Sequence, residues 1–266
     1  MLINGKKIAM ELFEELKKLP LPQKSLAAIL VGKNPASLSF LKQKEKAAIA
    51  LGIKFQLFKF PADINQNGLL KEIQKIAADN EVGGLIIQLP LPKNFDRNQI
   101  LDAIPKNKDV DALKNSESLA LSPVAKTLET ILAKIGFDCA NKYAVIFGRG
   151  FLVGQPVTRW LENKVKNLTV LGSDADPAII QESLAAADLI VSGVGKPGLI
   201  KPNELKNTAV IVDFGYARDE NGKIQGDFDA TLIDGKNTLL SYTPTPGGTG
   251  PILVANLIKN FYELNK

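Results

Sequence analysis

The chain has 266 residues, of which 45% are hydrophobic and 23% are charged, and its formal net charge is +5. This length suits two ordinary domains, and this balance is typical of a globular protein rather than a disordered or fibrous one. It contains no histidine, and Cys139 is its one cysteine. These counts exclude a Ser-His-Asp triad, a histidine general base, an internal disulfide and a cysteine-based zinc cluster, and we expect no metal site.

The apolar runs of the chain indicate neither a membrane span nor an export signal. The longest ones, such as Leu26–Val31 and Ala209–Val212, are far too short to cross a bilayer. The first residues are too polar for a signal peptide, so a cytoplasmic location is expected. The lysines are scattered, with the densest stretch at Lys42, Lys44 and Lys46, and this pattern does not predict nucleic-acid binding.

Short apolar runs alternate with amphipathic segments in the first part of the chain. We predict, in chain order, a strand over Ser25–Val31, a helix over Ser37–Leu51, a strand over Ile53–Phe60, a helix over Leu69–Ala78, a strand over Gly83–Leu89 and a short helix over Asp96–Ala103. The stretch from Pro105 to Ser122 is less hydrophobic and rich in Lys, Asp, Asn and Ser. It is predicted to be the crossing between two domains.

A second series of elements follows this crossing. We predict helices over Pro123–Ile135, Leu152–Glu162, Ile179–Ala187 and Pro251–Leu264, and strands over Lys142–Phe147, Leu168–Leu171, Leu189–Ser192 and Ala209–Asp213. Asn221-Gly222 lies between Tyr216–Arg218 and Lys223–Gln225 and predicts a hairpin. The fold class is therefore α/β, with two units and mostly parallel sheets.

A glycine-rich turn joins the strand that ends at Phe147 to the next helix. Gly148, Gly150 and Gly154 would let the backbone turn tightly and approach a pyrophosphate, while the helix N-terminus offers N–H groups. The spacing is one residue longer than in the usual fingerprint, and a plain tight turn is the alternative interpretation. The strand, turn, helix and next strand follow within about 30 residues, as a dinucleotide-binding unit requires.

The end of the next strand bears on the choice of dinucleotide. An acidic residue here commonly bonds the ribose hydroxyls of NAD, so Asp174 and Asp176 favour NAD. Ser173 is the one group in this segment that suits the phosphate of NADP. Alternatively, Asp176 is an N-cap of the following helix.

Several further strings occur in a characteristic order. They are NPAS at 34–37 with Lys44 and Lys46, GLIIQLPLP at 84–92, KDVD at 108–111, GR at 148–149 with VGQP at 153–156, VGKPG at 194–198 and PGGTGP at 246–251. In this order the chain resembles the bifunctional methylenetetrahydrofolate dehydrogenase/methenyltetrahydrofolate cyclohydrolase family. The resemblance covers nearly the whole chain.

The resemblance implies a folate-binding catalytic domain over 1–119, completed by a returning C-terminal helix in 246–266. It also implies a Rossmann-type NAD(P)-binding domain over 120–245, with a cleft between the two. The implied activity is oxidation of methylenetetrahydrofolate by NADP or NAD and hydrolysis of the methenyl product to formyltetrahydrofolate, in one-carbon metabolism. The family favours NADP, whereas Asp174 favours NAD. A folate substrate and a homodimer are further implications.

The resemblance also assigns roles to residues. It implies catalytic roles for Lys44, Gln88 and Asp111. It implies substrate binding by Phe40, Leu89, Pro90, Pro246, Gly247 and Gly248, and cofactor binding by Gly148, Arg149, Gly150, Val153, Gly154, Ser173, Gly195 and Tyr216. Taken singly, Lys44 could be a solvated helix lysine and Asp111 a loop acid that caps a turn.

Departures from the family cluster at positions that would face the cleft. They are Phe40 for a tyrosine, Ala112 for a glycine, Asn115-Ser116-Glu117 for Asn-x-Gly, Ala120-Leu121-Ser122-Pro123 for Pro-Cys-Thr-Pro, Gly150 for a serine and Ile252-Leu253 for Met-Thr. Phe40 can still stack beside Lys44 because positions i and i+4 share a helix face, but it has no hydroxyl to relay a proton.

Three interpretations of the activity follow. The chain is an active bifunctional enzyme, a dehydrogenase with weak or lost cyclohydrolase activity, or a non-catalytic folate-binding paralogue. Retention of Lys44, Gln88 and Asp111 together favours the two enzymatic interpretations.

Overall fold

The computed structural model describes residues 1–114, 118–218, 222–234 and 239–266, in which helices and strands alternate. The helices are α1 (Gly5–Lys17), α2 (Pro35–Ala50), α3 (Gln66–Ala78), α4 (Arg97–Asp102), α5 (Pro123–Lys134), α6 (Gly154–Leu161), α7 (Pro177–Ala186) and α8 (Thr249–Leu264). The strands are β1 (Ser25–Val31), β2 (Phe55–Phe60), β3 (Val82–Ile87), β4 (Tyr143–Phe147), β5 (Asn167–Leu171), β6 (Leu189–Ser192), β7 (Val210–Asp213), β8 (Ala217–Arg218), β9 (Ile224–Gln225) and β10 (Ser241–Tyr242).

The chain divides into two compact units. The first unit comprises Glu11–Pro123 and Val254–Lys266, and the second comprises Met1–Met10 and Val124–Leu253. The N-terminal ten residues join the second unit because Leu2 bridges to Tyr242 and the Ile3 N–H donates to the Tyr242 carbonyl. The functional domain borders inferred from the sequence, at 119 and 245, stay a prediction.

A three-stranded parallel sheet in the order β2-β1-β3 forms the centre of the first unit. All seven residues of β1 are buried, as is usual for a central strand of a parallel sheet. Leu26 and Leu30, on one face of β1, belong to an apolar core that includes Leu257 and Phe261 of α8. This packing holds β1 and β3 against the C-terminal part of α8.

A five-stranded parallel sheet in the order β10-β7-β6-β4-β5 forms the second unit. Its core includes Val145, Leu171, Ile190 and Ile211, one from each of the four neighbouring strands β4 to β7. The chain runs from β4 to β5 on one side and then crosses to β6 on the other side of β4. In such a sheet, ligands bind outside the carboxyl ends of the strands where the order reverses, which here are those of β4 and β6.

The predicted fold class and alternating elements are confirmed, with borders that shift by up to three residues. The β8–β9 pair is antiparallel, as the hairpin prediction requires, although Asn221 lies outside the described residues. Asn115-Ser116-Glu117 lies outside them as well.

Helix α1 was not predicted, even though Ile8, Leu12 and Leu16 recur at helical spacing and are buried. Among the described helices, none combines the length and apolar character that a membrane crossing needs.

Candidate functional site

The side chain of Lys44 is buried in the first unit and points toward polar partners on two other segments. It lies on α2, and only 4% of it is exposed. Its Nζ donates to Gln88 Oε1 at 3.4 Å and lies 3.6 Å from Asp111 Oδ2. An ammonium has three N–H donors, and these two oxygens are its partners among the described residues. The lysine is therefore held in place with donor capacity left for a ligand.

Gln88 follows the buried strand β3 and is itself fixed. Its Nε2 donates to the Leu89 carbonyl at 2.7 Å, which turns Oε1 toward Lys44. Leu89 is half-buried, Pro90 is exposed, and the peptide bond between them is cis. Ser37 of α2 donates its hydroxyl to the same Leu89 carbonyl, so α2 is joined to the segment after β3 through both Ser37 and Lys44.

Asp111 is held by a turn whose anchor is Asp109. The Asp109 carboxylate accepts the Ala112 N–H at 2.9 Å and the Ser118 hydroxyl at 2.8 Å. Burial raises the pKa of Asp109, and the nearby negative charge of Asp111 adds to this, whereas the Ser118 hydrogen bond opposes it. Ala112 has a φ of 48°, a left-handed conformation that favours glycine, so an alanine at this position carries a steric cost.

Phe40 lies one helical turn before Lys44 on α2, with 5.0 Å between its ring centroid and the lysine Nζ. A cation over an aromatic face is attracted to it. The ring is half-buried and brings no hydroxyl to the group. The three predicted catalytic residues and the predicted stacking residue are therefore brought together in one unit.

The glycine-rich turn after β4 lies in the second unit and requires glycine at two of its positions, 148 and 154. Gly148 has a φ of 95°. A Cβ at Gly154, the first residue of α6, would lie 2.0 Å from the Gly148 carbonyl oxygen. Gly150 is exposed and has open space around it, so the missing serine of the family leaves no packing defect.

The loop that follows β6 abuts this turn. A Cβ at Gly193 would lie 2.6 Å from Val153 Cγ1, and one at Gly148 would lie 3.3 Å from Val194 Cγ2. The ends of β4 and β6 thus form one backbone cradle at the point where strand order reverses, with the N-terminus of α6 beside it. This cradle fits the pyrophosphate of a nicotinamide dinucleotide, which needs close backbone approach and N–H donors.

Arg149 and Asp174 form an ion pair between this turn and the end of β5. The guanidinium Nη1 lies 2.9 Å from Oδ1 and 3.1 Å from Oδ2 of Asp174. The pKa of Asp174 is lowered, first by its own backbone N–H and then by Arg149. Asp176 accepts the Ala178 N–H as the N-cap of α7, which was the alternative interpretation from the sequence. Ser173 is exposed beside this pair.

The remaining predicted residues also lie in the second unit. Gly195 is exposed in the loop after β6, and a Cβ there would lie 3.5 Å from the carbonyl oxygen of Tyr216, whose own side chain is exposed. The turn of Pro246, Gly247 and Gly248 packs on the start of α1, where a Cβ at Gly5 would clash with the Gly248 carbonyl.

Asp109, Asp213 and Asp227 were not given roles by the sequence, and all three are almost fully buried. A weak signal existed for each of them: Asp109 lies two residues before Asp111, Asp213 ends a strand, and Asp227 follows a glycine. Sequence alone gives no reason to bury a carboxylate at any of these positions. In the described part of the chain, no cluster of three or more His, Cys, Asp or Glu side chains could hold a metal ion.

Comparison with known proteins yields matches over both parts of the chain. The family described as tetrahydrofolate dehydrogenase/cyclohydrolase, catalytic domain, matches residues 3–111. The NAD(P)-binding domain of the same family matches residues 122–266. The bifunctional protein FolD of Limosilactobacillus reuteri (strain DSM 20016) is 35% identical, over 99% of this chain and 96% of that protein.

Two solved structures are similar over the full length. One is the bifunctional FolD methylenetetrahydrofolate dehydrogenase/cyclohydrolase of Campylobacter jejuni, with a TM-score of 0.92, 31% identity, and coverage of 100% of this chain and 98% of that one. The other is the Trypanosoma brucei enzyme complexed with NADP cofactor and inhibitor, with a TM-score of 0.90, 27% identity, and coverage of 99% and 96%.

Proposed function

This chain belongs to the tetrahydrofolate dehydrogenase/cyclohydrolase family, and we propose that it catalyses both reactions for which the family is named. It oxidises methylenetetrahydrofolate to methenyltetrahydrofolate with a nicotinamide dinucleotide, and it hydrolyses the methenyl product to formyltetrahydrofolate. The observation that carries this proposal is the convergence of Gln88 and Asp111 on the buried ammonium of Lys44, at 3.4 and 3.6 Å.

Asp111 is proposed to bind the pterin. A carboxylate can accept two adjacent hydrogen bonds from an aminopyrimidine edge, and this geometry fixes the plane of the ring. The turn anchored by Asp109 holds this carboxylate in place, since both oxygens of Asp109 are engaged by Ala112 and Ser118. The folate would thus be oriented by a carboxylate on a turn that these two hydrogen bonds hold in place.

Lys44 is proposed to transfer protons in the hydrolytic step. Water adds to the methenyl carbon, one carbon–nitrogen bond breaks, and the balanced products are the formyl compound and one proton. In its neutral amine form, the Nζ of Lys44 can take a proton from the attacking water and, as the resulting ammonium, return it to the departing nitrogen. Gln88 orients Nζ through a neutral oxygen and so adds no charge to the site.

The dinucleotide is proposed to bind over the ends of β4 and β6. When bound, it supplies the acceptor for the hydride that leaves the methylene carbon. Gly148 and Gly154 would permit the close approach of the backbone to the pyrophosphate, and the α6 N-terminus would offer it N–H donors. Gly195 and Tyr216 would line the same end of the sheet.

We propose that NAD is preferred over NADP. Asp174 brings a carboxylate to the end of β5, where the ribose hydroxyls of the adenosine bind in this fold. Its ion pair with Arg149 occupies the guanidinium that would otherwise attract a 2′-phosphate. Both side chains are more than half exposed, so the pair itself is weak, and repulsion between Asp174 and the phosphate carries the preference.

A second candidate function is dehydrogenation with little hydrolysis. The specific observation in its favour is Phe40, whose ring faces Lys44 and has no hydroxyl to share in proton transfer. Oxidation transfers a hydride and needs no proton relay at residue 40. The missing hydroxyl would therefore slow oxidation less than hydrolysis.

One experiment separates the two candidates. Purified protein is mixed with methylenetetrahydrofolate and NAD or NADP, and reduced dinucleotide and methenyl product are followed together. Reduction without build-up of methenyl product supports the bifunctional assignment. Equal build-up of reduced dinucleotide and methenyl product supports the dehydrogenase with little hydrolysis. Absence of reduction with either dinucleotide contradicts both candidate functions. The homodimer, the cytoplasmic location and the functional domain borders stay predictions.

A further inference from the structure

The loop after β6 is held by a fully buried carboxylate. Asp227, two residues after β9, has 0% exposure. Its Oδ2 accepts the Ser192 hydroxyl at 2.5 Å and the Val194 N–H at 2.8 Å, and its Oδ1 accepts the Lys196 N–H at 2.6 Å. Both oxygens of Asp227 therefore bind the end of β6 and the loop that follows it.

A second buried carboxylate fixes the segment that carries Asp227. Asp213 ends β7, and its Oδ2 accepts the Phe228 N–H at 3.0 Å while its Oδ1 accepts the Gly215 N–H at 2.6 Å. A Cβ at Gly226 would lie 2.1 Å from Asp213 Oδ2. A side chain at residue 226 would therefore have to displace the Asp213 carboxylate, and the Phe228 N–H anchors the segment around Asp227 to the end of β7.

Burying two carboxylates costs free energy, which their hydrogen bonds to backbone N–H groups offset. Removing a carboxylate from water is expensive, and two of them in one region repel each other. Plain turn residues could close the loop after β6 without either charge. Here the three bonds to Asp227 aim the Val194 and Lys196 N–H groups inward, which leaves Gly195, with a φ of 74°, exposed between them.

We propose that Asp227 is a positioning residue for dinucleotide binding: it holds the loop 193–198 in the shape that completes the cradle at the ends of β4 and β6. The inference rests on the proposed function in one respect, that this cradle binds the dinucleotide. It assigns no chemical step to Asp227, which acts through the loop backbone. Asp213 supports it by anchoring the segment around residue 227.

The test is to replace Asp227 with Asn and measure dinucleotide binding directly. An amide has one acceptor oxygen, so it cannot serve the Val194 and Lys196 donors from both of its terminal atoms. Losing one such buried bond should raise the dissociation constant for NAD by about tenfold. The KM for NAD should rise by a similar factor, with the KM for methylenetetrahydrofolate unchanged. Asp229→Asn is the matched control, because Asp229 bonds only Thr231 among the described side-chain partners and should leave NAD affinity unchanged.

Amide exchange on the wild-type protein provides a readout that needs no variant. The Val194 and Lys196 N–H groups should exchange about 100-fold or more slowly than unstructured amides before dinucleotide is added. If Asp227→Asn does not fold, the same amides are measured again with NAD: slow exchange that slows further when NAD binds supports the proposal, whereas fast exchange, or slow exchange that NAD leaves unchanged, overturns it.

The remaining outcomes separate this inference from the proposed function. A wild-type protein that binds neither NAD nor NADP overturns both. A wild-type protein that binds dinucleotide, with an Asp227→Asn variant that binds it equally well, overturns the positioning role alone. If Asp227→Asn melts at a lower temperature but keeps its affinity for NAD, the role of Asp227 is purely structural, and the positioning role is overturned as well.

Discussion

The ammonium of Lys44 lies over the ring of Phe40, with 5.0 Å between Nζ and the ring centroid. The spacing of four residues on α2 brings the two side chains to one face. The ring offers the cation an electrostatic partner that can neither accept nor pass on a proton. The group around Lys44 therefore keeps its charge pairing but has one proton carrier fewer than the family pattern provides.

Restoring that hydroxyl should change the balance of the two reactions. We expect Phe40→Tyr to raise the rate of methenyl hydrolysis relative to dehydrogenation by about tenfold, since positioned proton carriers contribute at least this much. The measurement is the ratio of the two initial rates on separate substrates. Phe58→Tyr, on the edge strand β2, is the control for adding a tyrosine. A ratio that stays fixed or falls would show that the missing hydroxyl does not limit hydrolysis.

Removing the amine should abolish hydrolysis. Lys44→Ala deletes the group on which Gln88 and Asp111 converge, and we expect hydrolysis to fall by about 100-fold or more. Lys42→Ala is the matched control, because Lys42 is exposed on the same helix. Hydrolysis of methenyltetrahydrofolate at the wild-type rate in Lys44→Ala would remove this lysine from the mechanism.

Cofactor preference should depend on Asp174. Asp174→Ser removes the carboxylate and releases Arg149, so the preference for NADP relative to NAD should rise by about tenfold, or ~1.4 kcal/mol. Dissociation constants for both dinucleotides provide the measurement. Asp176→Ser is the control: it also removes a negative charge, yet it leaves a good N-cap residue on α7. An equal shift in both variants would mean that the net charge of the segment sets the preference, and not the position of the Asp174 carboxylate.

The stability of the second unit should depend on pH through Asp213. Burial, with the charge of Asp227 contributing, raises the pKa of Asp213 to about 7, so the folded state binds its proton more tightly than the unfolded state, whose value is 3.8. This contribution to stability is complete below pH 3.8 and is lost as pH rises to about 7. From pH 5 to 8 the loss should be at most about 3 kcal/mol.

The variant Asp213→Asn isolates this contribution. An amide does not titrate, so the variant should gain stability relative to the wild type as pH rises from 5 to 8. Denaturant unfolding at both pH values measures the difference. A difference in unfolding free energy that does not change with pH would contradict a raised pKa at Asp213.

Local signals were sufficient for most of the fold. The six consecutive apolar residues of β1, Leu26–Val31, predicted a buried strand, and the alternation of strand and helix predicted two units with mostly parallel sheets, although not strand β10. Helix α1 was missed because its polar start, Gly5 to Lys7, hid the apolar spacing that begins at Ile8. The contact that draws the first ten residues to Tyr242 joins positions some 240 residues apart, and no local pattern encodes it.

The sequence predicted site residues whose own side chains or surrounding strings indicate a chemical role. It missed those that act through hydrogen bonds to other segments. Lys44 and Asp111 stood out through the strings around them, and the structure places them 3.6 Å apart. Asp109 and Asp227 act through backbone N–H groups of other segments, so their roles follow from three-dimensional contacts. The left-handed φ of Ala112 could not be predicted either, because alanine normally avoids that conformation.

The measurement that tests the central claim most directly is the reduction of dinucleotide by the purified wild-type protein as a function of added methylenetetrahydrofolate. We predict reduction that requires the folate, saturates with it, and proceeds at lower concentrations of NAD than of NADP. Absence of folate-dependent reduction with either dinucleotide, in protein whose amide exchange shows that both sheets are folded, would contradict the assignment of this chain as a methylenetetrahydrofolate dehydrogenase.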